Sequence, residues 1–140
     1  MVSANLLRLR ADAGLSTRAL AERLTNVGVR MSSSGITDIE RGRRGVSVDQ
    51  LTALAAALGV SPIALLTPLR TDRTPSPDDS ALLTGTPFSD TRMLVAWLRG
   101  DHPLTSEPLD SHQIEDFRRT SLPPWYWDRR GLPDDAQEVD

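Results

Sequence analysis

Residues 32–42 read Ser32-Ser33-Ser34-Gly35-Ile36-Thr37-Asp38-Ile39-Glu40-Arg41-Gly42. The stretch opens on a run of helix-capping residues, places Ile36 and Ile39 three apart, and stops on a glycine. Such a pattern predicts a two-turn helix over about Ser33 to Arg41, with a capped start, one apolar stripe and a glycine stop. Arg41, Arg43 and Arg44 crowd its end, a charge distribution suited to phosphates.

The segments on either side predict more short helices. Ser3 is the expected cap of a first helix, about Ser3 to Ala13, with Leu6, Leu7 and Arg10 on or beside one face and Gly14 at its end. Ser16 precedes a second, about Thr17 to Leu24, with Leu20, Ala21 and Leu24 at helical spacing. The loop Thr25 to Met31 follows, where Val29 and Met31 can tuck inward. Ser47 and Gln50 form a capping box for a helix ending at Leu58, with Gly59 as its stop. Ser61 and Pro62 start a short apolar helix carrying Ile63, Leu65, Leu66 and Leu69. Five short helices joined by short turns predict an all-α domain over residues 1–69.

Composition divides the chain. Net charge is -3 over 140 residues, and all 16 basic residues are arginine, a choice that fits the codon bias of a high-GC bacterium. Residues 1–70 carry nine arginines against five acids; residues 71–140 carry seven against fourteen. Halves of opposite sign suggest different roles. Every aromatic residue (Phe88, Trp97, Phe117, Trp125, Tyr126, Trp127) lies in the second half. A Pro-, Thr-, Ser- and Asp-rich stretch, residues 70–88, reads as a linker with Asp78 and Asp79 as solvated charge. A helical segment is expected over 89–127, with helices near Thr91 to Arg99 and His112 to Arg119 and irregular structure beyond. Residues 128–140 read as an acidic, disordered tail.

Several classes of chemistry have no support. The chain has no cysteine, which removes thiolate metal sites, disulfides and cysteine nucleophiles. His102 and His112 are isolated, so no metal or other cofactor is expected. No nucleophile elbow, phosphate loop or paired-carboxylate arrangement suggests an enzyme. The longest apolar run, Ala53 to Val60, is too short to span a bilayer. With no signal-peptide pattern, a cytoplasmic protein is expected.

Leu15-Ser16-Thr17-Arg18-Ala19-Leu20-Ala21, the block ending Ile39-Glu40-Arg41-Gly42, and Leu51 to Leu58 followed by Gly59-Val60-Ser61-Pro62 together resemble the phage-repressor-like (Cro/CI or XRE) helix-turn-helix family. Over about residues 4–67 the resemblance implies a five-helix, lambda-repressor-like DNA-binding domain whose third helix enters the major groove. In this docking the N-terminal residues of the recognition helix reach base edges. Ser33 and Ser34 are then foremost, with Thr37 and Asp38 one turn on. Hydroxyls discriminate weakly between bases; Asp38 can accept from cytosine N4 or pair with an arginine. Thr17, Arg18, Arg30, Arg41, Arg43 and Arg44 are the expected phosphate contacts. By the same resemblance, Arg10 and Glu40 form a structural salt bridge beneath the DNA face.

The expected function is a sequence-specific regulator of transcription on double-stranded DNA. A repressor is expected, binding a palindromic operator as a homodimer through Ile63, Leu66 and Leu69. The segment around Trp97 resembles a tail seen behind such domains in actinobacterial regulators. The alternative is an antitoxin or interaction module in which Trp97, Trp125, Tyr126 and Trp127 hold a protein partner. Two features depart from the family pattern. The loop Thr25 to Met31 is longer than the shortest family turn. The recognition helix has no bidentate Arg or Gln, which shifts weight toward DNA shape and water-mediated contacts.

Overall fold

The computed structural model describes residues 1–127. In chain order they form α1 (Val2–Asp12), α2 (Thr17–Asn26), α3 (Ser33–Glu40), α4 (Val48–Leu58) and α5 (Pro62–Leu66), then β1 (Ser80–Ala81) and β2 (Ser89–Asp90), and finally α6 (Thr91–Leu98), α7 (Ser111–Ser121) and α8 (Pro124–Trp127). The fold is all-α in its first part and mainly helical beyond. Among the described residues, no helix is long and apolar enough to cross a membrane.

Local capping explains most helix starts. Ser16 Oγ accepts from the Ala19 N–H and Ser32 Oγ from the Gly35 N–H, each at 3.0 Å. Ser47 and Gln50 close a reciprocal box, both bonds at 3.1 Å. Ser61 caps α5 ahead of Pro62. These bonds satisfy N–H groups that have no partner within a helix.

The first helix differs from the expected boundary. It begins at Val2, Met1 is its N-cap, and Ser3 lies within it without capping it. The reason is tertiary: the buried Asn5 donates from Nδ2 to the carbonyls of Leu65 and Thr67, at 2.9 and 2.8 Å, tying the first turn of α1 to the end of α5. On α1, Leu6 is buried and Leu7 exposed, so the inward face does not include both. The second helix runs two residues beyond Leu24 to Asn26, which shortens the loop expected from Thr25. Thr25 keeps its place by donating its hydroxyl to the Ala21 carbonyl at 3.2 Å.

The core of the five-helix domain is aliphatic. Leu6, Leu20, Leu24, Ile36, Ile39, Leu54 and Leu65 are fully buried, closed by Met31 and by Ala53, Ala55 and Ala57 of α4. Each such leucine or isoleucine contributes about 1.5–3 kcal/mol relative to exposure. The buried Ile36 and Ile39 fix α3 to α1 and α2 by one face and leave the opposite face in solvent.

Residues 70–88 are more than a linker. β1 and β2 pair antiparallel, Ser80 with Asp90 and Ala81 with Ser89. Asp79, expected as solvated charge, is buried. Its carboxylate accepts from the Ser76 N–H at 2.9 Å and from the Arg73 guanidinium. Its carbonyl accepts from the Thr91 N–H at 2.8 Å, and the Pro77 carbonyl accepts from the Arg92 N–H at 2.9 Å. The turn before the hairpin is thereby fastened to the first turn of α6, and Asp78 remains exposed, paired with Arg92 at 3.1 Å. Asp90 caps α6.

Leu94 is the buried anchor of this second unit, beside Ala81 and Ser89. The next helix is capped by Asp110 rather than by Ser111, through a box with Gln113. One helical turn, α8, stands where irregular structure was expected; Pro124 opens it, where the missing N–H costs nothing. Gly100 lets the two helices approach: a Cβ there would lie 2.8 Å from Leu122 Cδ2, and its φ of +77° is one that favours glycine. The tail assigned to 128–140 lies outside the described residues.

Candidate nucleic-acid interface

The inward stripe of α3 determines what its other face can present. Ser32, Ser33 and Ser34 are exposed, and Thr37 and Asp38 half-buried. The hydroxyls are not equivalent. Ser32 is occupied as the cap and lies 3.0 Å from Ser34 Oγ. Thr37 donates to the Ser33 carbonyl at 3.0 Å. Among the described residues the Ser33 hydroxyl has no partner, leaving it free for an outside group. Asp38 lies 3.7 Å from Arg43 Nη1, with the side chains 45% and 62% exposed. An ion pair of that length and exposure contributes little, and either member can exchange it for another partner.

Arg10 and Glu40 meet behind this face. Arg10 Nε donates to Glu40 Oε1 at 2.5 Å and Nη2 to Oε2 at 2.9 Å, a bidentate pair. A third bond runs from Arg10 Nη1 to the Leu15 carbonyl at 2.8 Å. The side chains are only 17% and 6% exposed. The hydrogen bond to Glu40 raises the Arg10 pKa above its ordinary value. Thus α1, the α1–α2 turn and the last residue of α3 are held in one cluster, which sets the tilt of α3.

Packing sorts the other arginines of the first unit. Arg8 pairs with Asp12 at 3.5 Å, Arg23 donates to the Ala57 carbonyl at 3.3 Å, and Arg70 pairs with Asp72. Arg18, Arg30, Arg41 and Arg44 are exposed and make no ion pair or hydrogen bond among the described residues. Two of them, Arg41 and Arg44, sit in or beside the turn that leaves α3. Arg18 stands in the first turn of α2 after the half-buried Thr17, where N–H groups and helix dipole favour anions.

One relation was not legible in the sequence. Gly35 packs against Arg44, Ser32 and Met31: a Cβ there would lie 3.2 Å from Arg44 Nη1 and from Ser32 Oγ, and 3.4 Å from Met31 Cγ. The glycine makes room for the Arg44 guanidinium against the first turn of α3. No sequence signal links residues nine apart across a turn in this way.

The remaining candidates are dispersed. On α5, Leu65 enters the core, Ile63 and Leu66 are half-buried, and Leu69 beyond it is 40% exposed. Trp97 is half-buried on α6. Trp125 and Tyr126 are exposed and meet edge to face, ring centres 5.9 Å apart; Trp127 ends the same short helix. His102 Nδ1 donates to the Pro103 carbonyl at 2.8 Å; the described residues contain no cluster of three or more His, Asp or Glu that could hold a metal.

A two-helix motif with one exposed hydroxyl-bearing face, flanked by partnerless arginines, defines a helix-turn-helix DNA-binding domain. Residues 3–69 match the family model described as a helix-turn-helix domain. The chain is also 40% identical over 75 residues to the uncharacterized HTH-type transcriptional regulator y4dJ of Sinorhizobium fredii, covering 54% of this chain and 88% of that protein. It belongs to the helix-turn-helix DNA-binding family. No solved structure matches it.

Proposed function

We propose that this protein is a sequence-specific regulator of transcription of the phage-repressor-like (Cro/CI, XRE) type. In this reading it is a cytoplasmic repressor, not an enzyme, and it binds a palindromic operator as a homodimer. The carrying observation is the set of exposed, partnerless arginines on the helix-turn-helix elements: Arg18 on α2, Arg30 in the loop before α3, and Arg41 and Arg44 in the turn after it. They supply the phosphate contacts, together with Thr17 and with Arg43 once it leaves Asp38. Ser33, Ser34, Thr37 and Asp38 face base edges. The free Ser33 hydroxyl is the foremost, and the short hydroxyl-rich face leaves much of the affinity to the flanks. Residues 1–69 form the DNA-binding domain, and residues 89–127 a separate helical segment behind it.

The dimer contact is assigned to Ile63, Leu66 and Leu69, which spaces half-sites about one turn, roughly 34 Å, apart. Similarity to an HTH-type transcriptional regulator supports the role in transcription. A second reading rests on Trp125, 61% exposed beside Tyr126. It makes the C-terminal segment a surface for a protein partner, as in an antitoxin, and co-purification from the host tests it.

The primary test selects host genomic fragments with the purified chain and measures binding to them at several salt concentrations. Arg41→Ala and Arg44→Ala should each weaken binding and lower the salt slope by about 1. Arg8→Ala, already paired within its own helix, should change neither. Failure to retain any fragment at 50 mM salt (about the low end of the usual range), or identical slopes for all three variants, would overturn the proposal.

A further inference from the structure

We propose that the groove between the helix-turn-helix domain and the β1–β2 hairpin is a regulatory site for a small aliphatic carboxylate, whose carboxylate pairs with Arg44. The groove encloses about 450 Å³ and is lined by Val2, Arg44, Val46, Leu66, Leu83 and Thr84. That volume falls within the roughly 300–1,000 Å³ typical of ligand sites. Val2, Val46, Leu66 and Leu83 are half-buried. Gly45 also lines it, and a Cβ at Gly45 would meet nothing within 4 Å.

The charges select the ligand class. Arg44 has no ion pair among the described residues, and no acid lines the groove. The groove beside α6, about 380 Å³, differs: its arginines are already neutralised, Arg92 by Asp78 and Arg99 by Asp101. The cleft along α4 carries only Asp49 as a charge. In the Arg44 groove a cation is repelled, and a sugar would leave its hydroxyls against aliphatic walls. An anion on an aliphatic body satisfies both the guanidinium and the walls, with the Thr84 hydroxyl as a further donor.

The regulatory half of this inference rests on the proposed DNA-binding role of Arg44. Arg44 lines the groove, and its guanidinium lies against the first turn of α3. A bound carboxylate and a DNA phosphate therefore compete for one side chain. Such competition is reciprocal: ligand weakens DNA binding by the factor by which DNA weakens ligand binding. The hairpin, through Leu83 and Thr84, completes the site, which gives the C-terminal unit a part in the response.

Calorimetric titration of the full chain with sodium octanoate, below its micellar range and without DNA, tests the ligand half; octanol and octylammonium serve as controls. Octanoate should bind at one site at least about tenfold more tightly than octylammonium. Arg44→Ala should remove the preference for octanoate over octanol. Leu83→Asp, on the hairpin, and Gly45→Leu, which fills open space, should each weaken octanoate at least about tenfold with an unchanged melting profile. Octanoate binding no better than octanol, or insensitive to all three substitutions, would overturn the site. Fragment binding then tests the regulatory half: octanoate should release DNA from the parent chain, and Leu83→Asp should bind DNA normally yet not respond. Octanoate binding without any effect on retained DNA would overturn the competition. If no fragment is retained even without octanoate, the DNA-binding reading fails and the ligand site stands on the calorimetry.

Discussion

Removing one member of the Arg10–Glu40 pair should destabilise the protein far more than removing both. In Arg10→Met, the Glu40 carboxylate, 6% exposed, loses two hydrogen bonds and its counter-charge, and the Leu15 carbonyl loses its donor. Stranding one charge of a buried pair costs about 3–5 kcal/mol; the lower end applies because Arg10 remains 17% exposed. Against a total stability of about 5–15 kcal/mol, that is a large loss. At about 4–8 °C per kcal/mol for a domain of this size, melting should fall by roughly 12–24 °C. The double variant Arg10→Met/Glu40→Met removes the stranded charge and keeps similar volume, so most of the loss should be recovered. Melting followed by circular dichroism on the parent, both single variants and the double variant yields the coupling energy directly. A cost below about 1 kcal/mol for Arg10→Met, the range of exposed pairs, or an additive cycle would refute the claim that this cluster holds α1 against α3.

Other features make sharper local predictions. Ser47→Ala should cost about 1 kcal/mol, read as a lower denaturant midpoint with unchanged slope, because it opens the α4 capping box. Gly100→Ala should cost more than about 1 kcal/mol in the C-terminal unit: the methyl would meet Leu122 Cδ2 at 2.8 Å in a φ region that favours glycine. Local hydrogen exchange should rise around α6 and α7 and stay unchanged in α1 to α5. The Asp79 carboxyl is held below its usual range chiefly by the Ser76 N–H, with Arg73 beside it and burial opposing. A depressed folded-state pKa adds stability above the unfolded value, about 3.9, and that stability is lost as pH falls through the folded value. The Ser76 amide should therefore lose exchange protection only below about pH 4, and Asp79→Asn should flatten that dependence.

The parts of the fold that could be read from the sequence are those made by near neighbours. Ser16, Ser32, Ser47 with Gln50, and Ser61 with Pro62 start their helices by bonds to residues two or three positions away. Ile36 with Ile39, and Leu54 with Leu58, advertise their inward faces by spacing alone. Boundaries moved where distant residues intervened. Asn5 reaches across 60 residues to Leu65 and brings the start of α1 forward past Ser3. Asp79 looked like linker charge because the groups that bury it, the Ser76 and Arg73 donors and the Thr91 turn, are assembled only by folding.

The candidate site divides along the same line. From sequence alone, Ser32 to Gly42 determined a capped, one-faced helix, and with its basic flanks and family resemblance it pointed to DNA. A cap, a stripe and a glycine stop depend on atoms within about one turn, and those are present in any copy of the stretch. Apart from Arg10, for which the family resemblance implied Glu40 as the partner, the sequence could not say which arginines are occupied, since identical side chains carry identical charges. Tertiary packing alone placed Arg23 on Ala57 and Arg44 against Gly35, and left Arg18, Arg30 and Arg41 without partners. An ion pair or a contact requires two groups to meet in space, and for residues on different helices that meeting is decided by how the buried leucines and isoleucines pack.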